Sequence, residues 1–142
     1  MKKLLAALAF WAVACAQAQA PAAPAQRVVA LGGAITEIVY ALDAGHRLVG
    51  VDDSSIYPAA AKRLPKVGYY RGFSIEGVAA LRPDVILASD QAGPPAAFEQ
   101  LKRLGKRVVV LPSEPSVEAL ERRILASLGI GDPYRRRADF AP

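Results

Sequence analysis

The sequence predicts an α/β domain, a three-layer sandwich in which helices cover both faces of a mostly parallel β-sheet. Short runs rich in Val, Leu and Ile alternate along the chain with amphipathic helical segments, and Gly or Pro marks most of the short connections. Strands that alternate with helices imply right-handed βαβ crossovers and therefore parallel strands. At 142 residues, about half of them apolar, the chain is long enough for one domain with a packed core.

The first residues carry the pattern of an export signal. Two lysines precede an apolar stretch, Leu4–Ala14, that is too short to span a bilayer and is followed by small residues. We predict a signal peptide over residues 1–18 and a flexible leader, rich in Pro and Ala, over residues 19–26. Cys15 is the only cysteine, and a lipid anchor on its side chain is the alternative. Both interpretations place the working protein in the periplasm.

The first strand and helix follow this leader. Arg27–Leu31 is a β-branched run that Gly32 and Gly33 interrupt. Apolar residues at helical spacing predict a helix over Thr36–Leu42, followed by a second strand over Leu48–Val51.

An irregular stretch, Lys66–Phe73, rich in aromatic residues and glycine, separates the second strand from the second helix. Ser74 is the predicted N-cap of a helix over Ile75–Leu81. Glu76 lies in the first turn of this helix, where the helix dipole favours negative charge. The third strand is predicted over Val85–Ala88.

The last repeating elements are a helix over Pro94–Leu104, a strand over Arg107–Leu111 and a helix over Val117–Leu128. The strand is an almost continuous apolar run, which predicts burial on both faces. We therefore expect the folded lobe to extend over residues 27–130 and to be followed by a tail over residues 131–142.

The charge distribution gives no sign of a nucleic-acid partner. The formal net charge of +5 comes largely from two lysines in the signal peptide and from Arg135–Arg137 in the tail. Between these ends the charge is close to balanced, and no predicted element gathers basic residues with aromatic partners. The residues after the first strand lack the spacing of a phosphate-binding loop, which disfavours nucleotides.

Few residues are suited to catalysis. The single histidine, His46, follows a predicted helix end and is expected to be an exposed loop residue rather than a ligand. Asp52 and Asp53 follow a strand, where carboxylates sometimes hold a metal ion or accept a phosphoryl group, although a solvated turn is the preferred interpretation. We expect no enzymatic activity, and a small secreted α/β enzyme that uses Asp52 or Asp53 is kept as an alternative.

The loop Val67–Phe73 concentrates the residues most suited to binding. It holds two phenols, Tyr69 and Tyr70, the guanidinium of Arg71 and a third aromatic ring. Loops at the carboxyl ends of strands bind ligands in α/β sheets, and this set suits a flat aromatic ligand with anionic groups. A phenolate is a donor for ferric haem iron, and a nearby cation favours the ionised phenol. The alternative is that these aromatic side chains only pack the loop.

The sequence resembles the haemin-binding periplasmic components of ABC importers, in the wider group that also carries cobalamin and siderophores. The wider group is marked by RVVALGGAITEIVYALDAGHRLVGVD, and the haem branch by KVGY, a following arginine and the later AGPP. The resemblance covers roughly residues 27–130. It implies one lobe of a two-lobed binding protein that captures haem and passes it to a permease in the inner membrane. Cobalamin or a ferric siderophore is the alternative ligand.

The resemblance also assigns roles to single residues. Tyr69 falls on the tyrosine that is the axial ligand of the haem iron, and Arg71 on an arginine that pairs with a haem propionate or with the phenolate. Tyr70 stands where the family often has Met, so it either contacts haem or only packs. Glu76 matches an acidic residue that docks onto arginines of the permease, and simple helix capping is the competing role.

One departure from the family is large. Its members have two lobes joined by a long helix and are nearly twice as long as this chain. Because the second lobe is missing here, we expect a truncated gene product, an incomplete gene model or a stand-alone lobe, each of which predicts a half-open site. A dimer, or a second lobe on another chain, is the expected way to complete such a site.

Overall fold

Four parallel strands form one sheet at the centre of the computed structural model, which describes residues 23–112 and 116–131. The strands are β1 (Val28–Leu31), β2 (Leu48–Val51), β3 (Val85–Ser89) and β4 (Arg107–Leu111), in the sheet order β2-β1-β3-β4. The α-helices are α1 (Gly33–Ala41), α2 (Ile75–Ala80), α3 (Pro95–Arg103) and α4 (Val117–Leu128), and short 3-10 helices cover Gly45–Arg47 and Ala59–Arg63. The predicted α/β class with a parallel sheet is confirmed. The predicted signal peptide, Cys15 and nearly all of the tail lie outside the described residues.

The helices are divided between the two faces of the sheet. Residues of α1 and α4, such as Ile35 and Ile124, pack in one apolar cluster with Val28 and Ala30 of β1. Residues of α2 and α3 pack in a second cluster with Val29 and Leu31 of the same strand. Successive side chains of a strand point to opposite faces, so β1 contributes to both cores. None of the helices in the described ranges is long and apolar enough to cross a membrane.

The prediction for β4 is wrong. This strand is predicted to be buried on both faces. Among the described strands it lies at one side of the sheet, next to β3 alone, and Val110 is 45 % exposed. A continuous apolar run looks the same in a central strand and in an edge strand, because strand order is set by long-range packing. The other strands and helices begin and end close to their predicted positions, except that α1 begins three residues earlier, at Gly33.

Arginines cap helix ends at the amino edge of the sheet, the edge at which all four strands begin. The guanidinium of Arg27 donates to the carbonyl oxygens of Leu81 and Arg82 after α2. Arg47 donates to the carbonyl of Leu128 at the end of α4, at 3.1 Å. The last carbonyls of a helix have no intrahelical partner, and the several N–H groups of a guanidinium satisfy them.

Gly32 turns the chain from β1 into α1. It is buried and has a φ of 130°, a conformation that residues with a side chain rarely adopt. A Cβ atom built on it would lie 3.3 Å from the Cβ of Ser89 at the end of β3. The absence of a side chain therefore lets the ends of β1 and β3 approach each other.

We expect Gly32→Ala to lower the free energy of unfolding by about 1–3 kcal/mol, because the new side chain holds the backbone in a strained region. Urea denaturation followed by circular dichroism measures this loss. Gly72→Ala is the matched control, since no atom lies within 4 Å of its built Cβ. Equal stability of the two variants would contradict the role assigned to Gly32.

Candidate ligand-binding cleft

An open cleft of about 600 Å³ lies at the carboxyl edge of the sheet, where the strands end. It is lined by residues from the start of α1, from the loop after β2, from the ends of β3 and β4, and from Pro112 and α4. These residues are Gly32, Gly33, Ala34, Ile35, Glu37, Ser54, Tyr69, Tyr70, Ser89, Leu111, Pro112 and Leu120. A volume of this size is within the range of pockets that bind cofactor-sized molecules.

The topology of the sheet explains the position of the cleft. The chain leaves β1 towards α1 on one face and leaves the neighbouring strand β3 towards α3 on the other face. Connections that diverge from adjacent strands leave a crevice between them, and ligands of open α/β sheets bind there. The loop with Tyr69 and Tyr70 closes one side of this crevice.

The two predicted phenols both reach the cleft, but in different environments. Tyr69 is 49 % exposed, whereas Tyr70 is half-buried against the core on the α2 and α3 face. Their ring centroids are 4.5 Å apart, and the ring planes are tilted by 56°. Tyr69 is thus the phenol that is open to a ligand, and Tyr70 supports it from behind.

The third ring of the loop is not part of the cleft. Phe73 is buried, and its ring centroid lies 5.3 Å from that of Phe98 on α3. This contact anchors the end of the loop in the core. The expectation that three aromatic rings of the loop gather around a ligand is therefore wrong for Phe73.

Arg71 lies beside the cleft rather than in its lining. Its side chain is exposed, and the guanidinium carbon is 5.5 Å from the ring centroid of Tyr70. A guanidinium over an aromatic face is attracted by the ring quadrupole. Arg71 is therefore held next to the rim, where it adds positive charge.

The two phenols influence each other's ionisation. The neighbouring phenol has the largest effect on each: Tyr70 raises the pKa of Tyr69, and Tyr69 lowers the pKa of Tyr70. The charge of Arg71 also lowers the pKa of each phenol, but for Tyr69 the interaction with Tyr70 has the larger effect. Arg71 thus lowers the pKa of Tyr69 as expected, but Tyr70 raises that pKa by more.

We expect Tyr70→Phe to bring the pKa of Tyr69 down towards its ordinary value, because the variant lacks the hydroxyl group of Tyr70 that raises it. The measurement is a pH titration of phenolate absorption in the wild type and in the variant. Tyr40→Phe, on α1, removes a phenol elsewhere and serves as the control. An unchanged titration of Tyr69 would show that the two phenols do not interact.

A buried carboxylate fixes the part of the cleft wall formed by Gly32, Gly33 and Ser54. Asp52 has no exposed surface, and its two oxygens accept four hydrogen bonds. Oδ1 accepts from the backbone N–H of Gly32 at 3.0 Å and from the hydroxyl of Ser55 at 2.8 Å. Oδ2 accepts from the backbone N–H and the hydroxyl of Ser54, at 2.9 and 2.6 Å.

These bonds tie the end of β2 to the start of α1. The hydroxyl of Ser54, oriented by Asp52, accepts a 3.0 Å bond from the backbone N–H of Gly33, and Ser55 bonds to Thr36 at 2.7 Å. The interpretation of Asp52 as part of a solvated turn is wrong, whereas Asp53 is exposed as expected. The sequence signal for this network is the run of polar residues that directly follows the buried strand β2.

The remaining predicted residues lie away from the cleft lining. Glu76 is exposed in the first turn of α2, and Ser74 caps that helix by accepting a 2.9 Å bond from the N–H of Gly77. The geometry accounts for helix capping, and docking of Glu76 on a permease stays a prediction. His46 is exposed as predicted. Within the described ranges, no three His, Cys, Asp or Glu side chains are grouped so that they could hold a metal ion.

The fold and the cleft define a class of protein. A parallel α/β lobe with an aromatic-lined crevice at the divergence of two strands is suited to bind a small molecule. Comparison with known families agrees: residues 28–128 match the periplasmic binding protein family, and the chain belongs to it. The resemblance inferred from the motifs is thereby confirmed.

Individual relatives share this fold. The periplasmic heme-binding protein from Pseudomonas aeruginosa is 41 % identical, with a TM-score of 0.72 over 80 % of this chain and 41 % of that chain. The periplasmic heme-binding protein RhuT from Roseiflexus sp. RS-1 is 36 % identical, with a TM-score of 0.72 over 80 % of this chain and 45 % of that chain.

A curated relative points to a different ligand. The vitamin B12-binding protein of Vibrio vulnificus is 41 % identical over 87 residues, which are 61 % of this chain and 32 % of that protein. The chain therefore spans about a third of the length of this relative.

Proposed function

We propose that this lobe binds haem in the cleft at the carboxyl edge of the sheet and serves as the substrate-binding component of a haem ABC importer. The observation that carries the proposal is the exposed phenol of Tyr69 in the lining of that cleft. Tyrosine is an axial ligand of iron in some haem proteins. Tyr69 is the residue we assign to the ferric iron.

The other cleft groups suit the rest of a haem molecule. Apolar residues of the lining that keep accessible surface, such as Ala34, Pro112 and Leu120, offer contact area for a flat macrocycle. The first turn of α1 opens into the cleft, and the positive end of its dipole favours anionic groups such as propionates. Arg71 lies beside the phenols and supplies a second positive charge on the rim.

Cobalamin is the second candidate ligand, because a curated relative of similar identity is named as a vitamin B12-binding protein. A corrin is also a large ring system, and it needs no phenolate from the protein. The two ligands therefore make different demands on Tyr69. A ferric siderophore is a weaker alternative, since it brings its own iron ligands.

We also propose where the lobe works and what it contacts. The protein works in the periplasm, delivers its ligand to an inner-membrane permease through a contact that includes Glu76, and catalyses no reaction. A second lobe faces the open side of the cleft. No nucleic acid is involved.

Titration with haemin and, separately, with cyanocobalamin tests the choice of ligand. The protein is a chain of residues 19–142, which keeps both apolar core clusters because these lie between residues 25 and 130. We expect saturable binding of haemin at one molecule per chain, monitored by absorption, and little binding of cyanocobalamin. Preference for cyanocobalamin would overturn the haem assignment and favour the second candidate.

A further inference from the structure

The turn that joins α3 to β4 presents cations around an exposed apolar side chain. Lys102 and Arg103 end α3, Lys106 and Arg107 lead into β4, and Leu104 between them is 59 % exposed. This turn is at the amino edge of the sheet, opposite the cleft, because Arg107 pairs in register with Val85 at the start of β3.

The turn has a defined shape. Gly105 has a φ of 74°, its N–H donates to the carbonyl of Lys102, and the N–H of Lys106 donates to the carbonyl of Leu101. This pair of bonds is the Schellman motif, which ends a helix in a fixed conformation. Leu104 is therefore held on the surface by an ordered turn.

Local contacts account for only some of the cations in this turn. Lys102 pairs with Glu99 at 2.9 Å, and Arg107 donates to the carbonyl of Ser127 at 3.2 Å. The dipole of α3 favours cations in its last turn, but this effect falls off within that turn. Neither contact explains why an apolar side chain is exposed among these cations.

The surrounding surface is also positive. Arg27 and Arg82 lie at the same edge, where Asp84 accepts bonds from the backbone N–H groups of Arg27 and Gln26 on one oxygen. Those N–H groups, together with the charges of Arg27 and Lys106, lower the pKa of Asp84. Positive and negative charges are nearly equal in number along the sequence of the lobe. In the folded lobe, cations outnumber anions around this turn.

We propose that the turn formed by Lys102, Arg103, Leu104 and Lys106 docks onto a bilayer that contains anionic phospholipids. Lysine and arginine near such a surface are attracted to the lipid phosphates, and an exposed leucine inserts at the boundary between headgroups and acyl chains. Charge complementarity and the exposed leucine together favour a lipid surface over a soluble anion. This inference does not depend on which ligand occupies the cleft.

The geometry makes this contact compatible with ligand capture. The cleft lies at the carboxyl edge, so a lobe that rests on its amino edge keeps the cleft open to solvent. The described chain also begins at the amino edge, where Ala25 bonds to the carbonyl of Leu128 and Gln26 to Asp84. The described part of the chain therefore begins on the side that faces the lipid.

Vesicle co-sedimentation tests the proposal with residues 19–142. Vesicles of phosphatidylcholine alone are compared with vesicles that also contain phosphatidylglycerol, at low salt and at about 1 M NaCl, where the screening length is only ~3 Å. We expect binding only to the anionic vesicles and only at low salt. Each basic residue near an anionic surface contributes about 1 kcal/mol, or about fivefold in affinity, so the double variant Arg103→Gln, Lys106→Gln should bind about 25-fold more weakly.

A charge-matched variant distinguishes the effect of this surface on binding from the effect of net charge. Lys62 and Arg63 are exposed on the 3-10 helix Ala59–Arg63, which leads to Lys66 beside β2 at the other side of the sheet. The variant Lys62→Gln, Arg63→Gln should bind nearly as well as the wild type. Leu104→Ser keeps every charge and should weaken binding by about tenfold, because the apolar insertion is lost. Equal binding to both vesicle types, or equal losses in the two double variants, would overturn the proposal.

Discussion

Tyr69→Phe is expected to remove the absorption band of ferric haem bound to phenolate and to weaken haemin binding by more than about a hundredfold. The estimate follows from metal sites, in which loss of a group that only supports a ligand already costs about 10–100-fold in affinity. Tyr69 is half exposed in the cleft, so its replacement by Phe removes a hydroxyl without leaving a cavity. The measurement is a haemin titration of wild type and variant, followed by absorption spectroscopy.

Two further variants make this result specific. Tyr40→Phe removes a phenol on α1 that packs against the other core cluster, and it should leave haemin binding unchanged. Tyr70→Phe should keep the phenolate band, since Tyr70 contacts Tyr69 from the buried side. If Tyr70→Phe removed the band and Tyr69→Phe kept it, the assignment of the two phenols would have to be exchanged.

Asp52→Ala is expected to cause the largest loss of stability among single substitutions near the cleft. The change leaves the backbone N–H groups of Gly32 and Ser54 without their acceptor. Hydrogen bonds to charged groups each contribute about 1.5–3 kcal/mol, and a buried donor left without a partner is costly, so we expect a loss of about 3–5 kcal/mol. Urea denaturation of the variant, compared with the wild type, gives this difference in the free energy of unfolding.

The neighbouring aspartate provides the control. Asp53 is exposed, and Asp53→Ala should change the free energy of unfolding by less than about 0.5 kcal/mol. Asp52→Asn should fall between the two, because the amide keeps one acceptor oxygen but places N–H groups opposite the donors of Ser54. Equal stability of Asp52→Ala and Asp53→Ala would show that the four hydrogen bonds do not hold the end of β2 to the start of α1. If the wild type showed hydrolytic activity and Asp53→Ala lost it, the alternative of a small secreted enzyme would be supported.

Local patterns in the sequence were sufficient to predict the elements of the fold. The run that forms β1, the N-cap Ser74 and the Gly105 turn each follow from short-range physics, namely strand propensity, capping and a left-handed backbone. The loop with Tyr69 and Tyr70 was also predicted, because it interrupts the periodic pattern and gathers aromatic side chains. These features depend on residues that are close together in the sequence.

The properties that were missed depend on contacts between distant residues. β4 was expected to be buried on both faces because its apolar run contains no information on sheet order. Asp52 was interpreted as solvated because its burial depends on the neighbouring strand β1, and one of its four bonds comes from Gly32, twenty positions away. Phe73 was placed with the ligand-binding rings because its packing against Phe98 depends on how α3 crosses the sheet.

The claim that one phenol of this cleft binds haem iron is tested most directly by resonance Raman spectroscopy of haemin bound to residues 19–142. We predict phenolate modes and an iron–oxygen stretch in the wild type and in Tyr40→Phe, and the absence of both in Tyr69→Phe. A spectrum without phenolate modes, or one that Tyr69→Phe leaves unchanged, would show that Tyr69 is not the iron ligand.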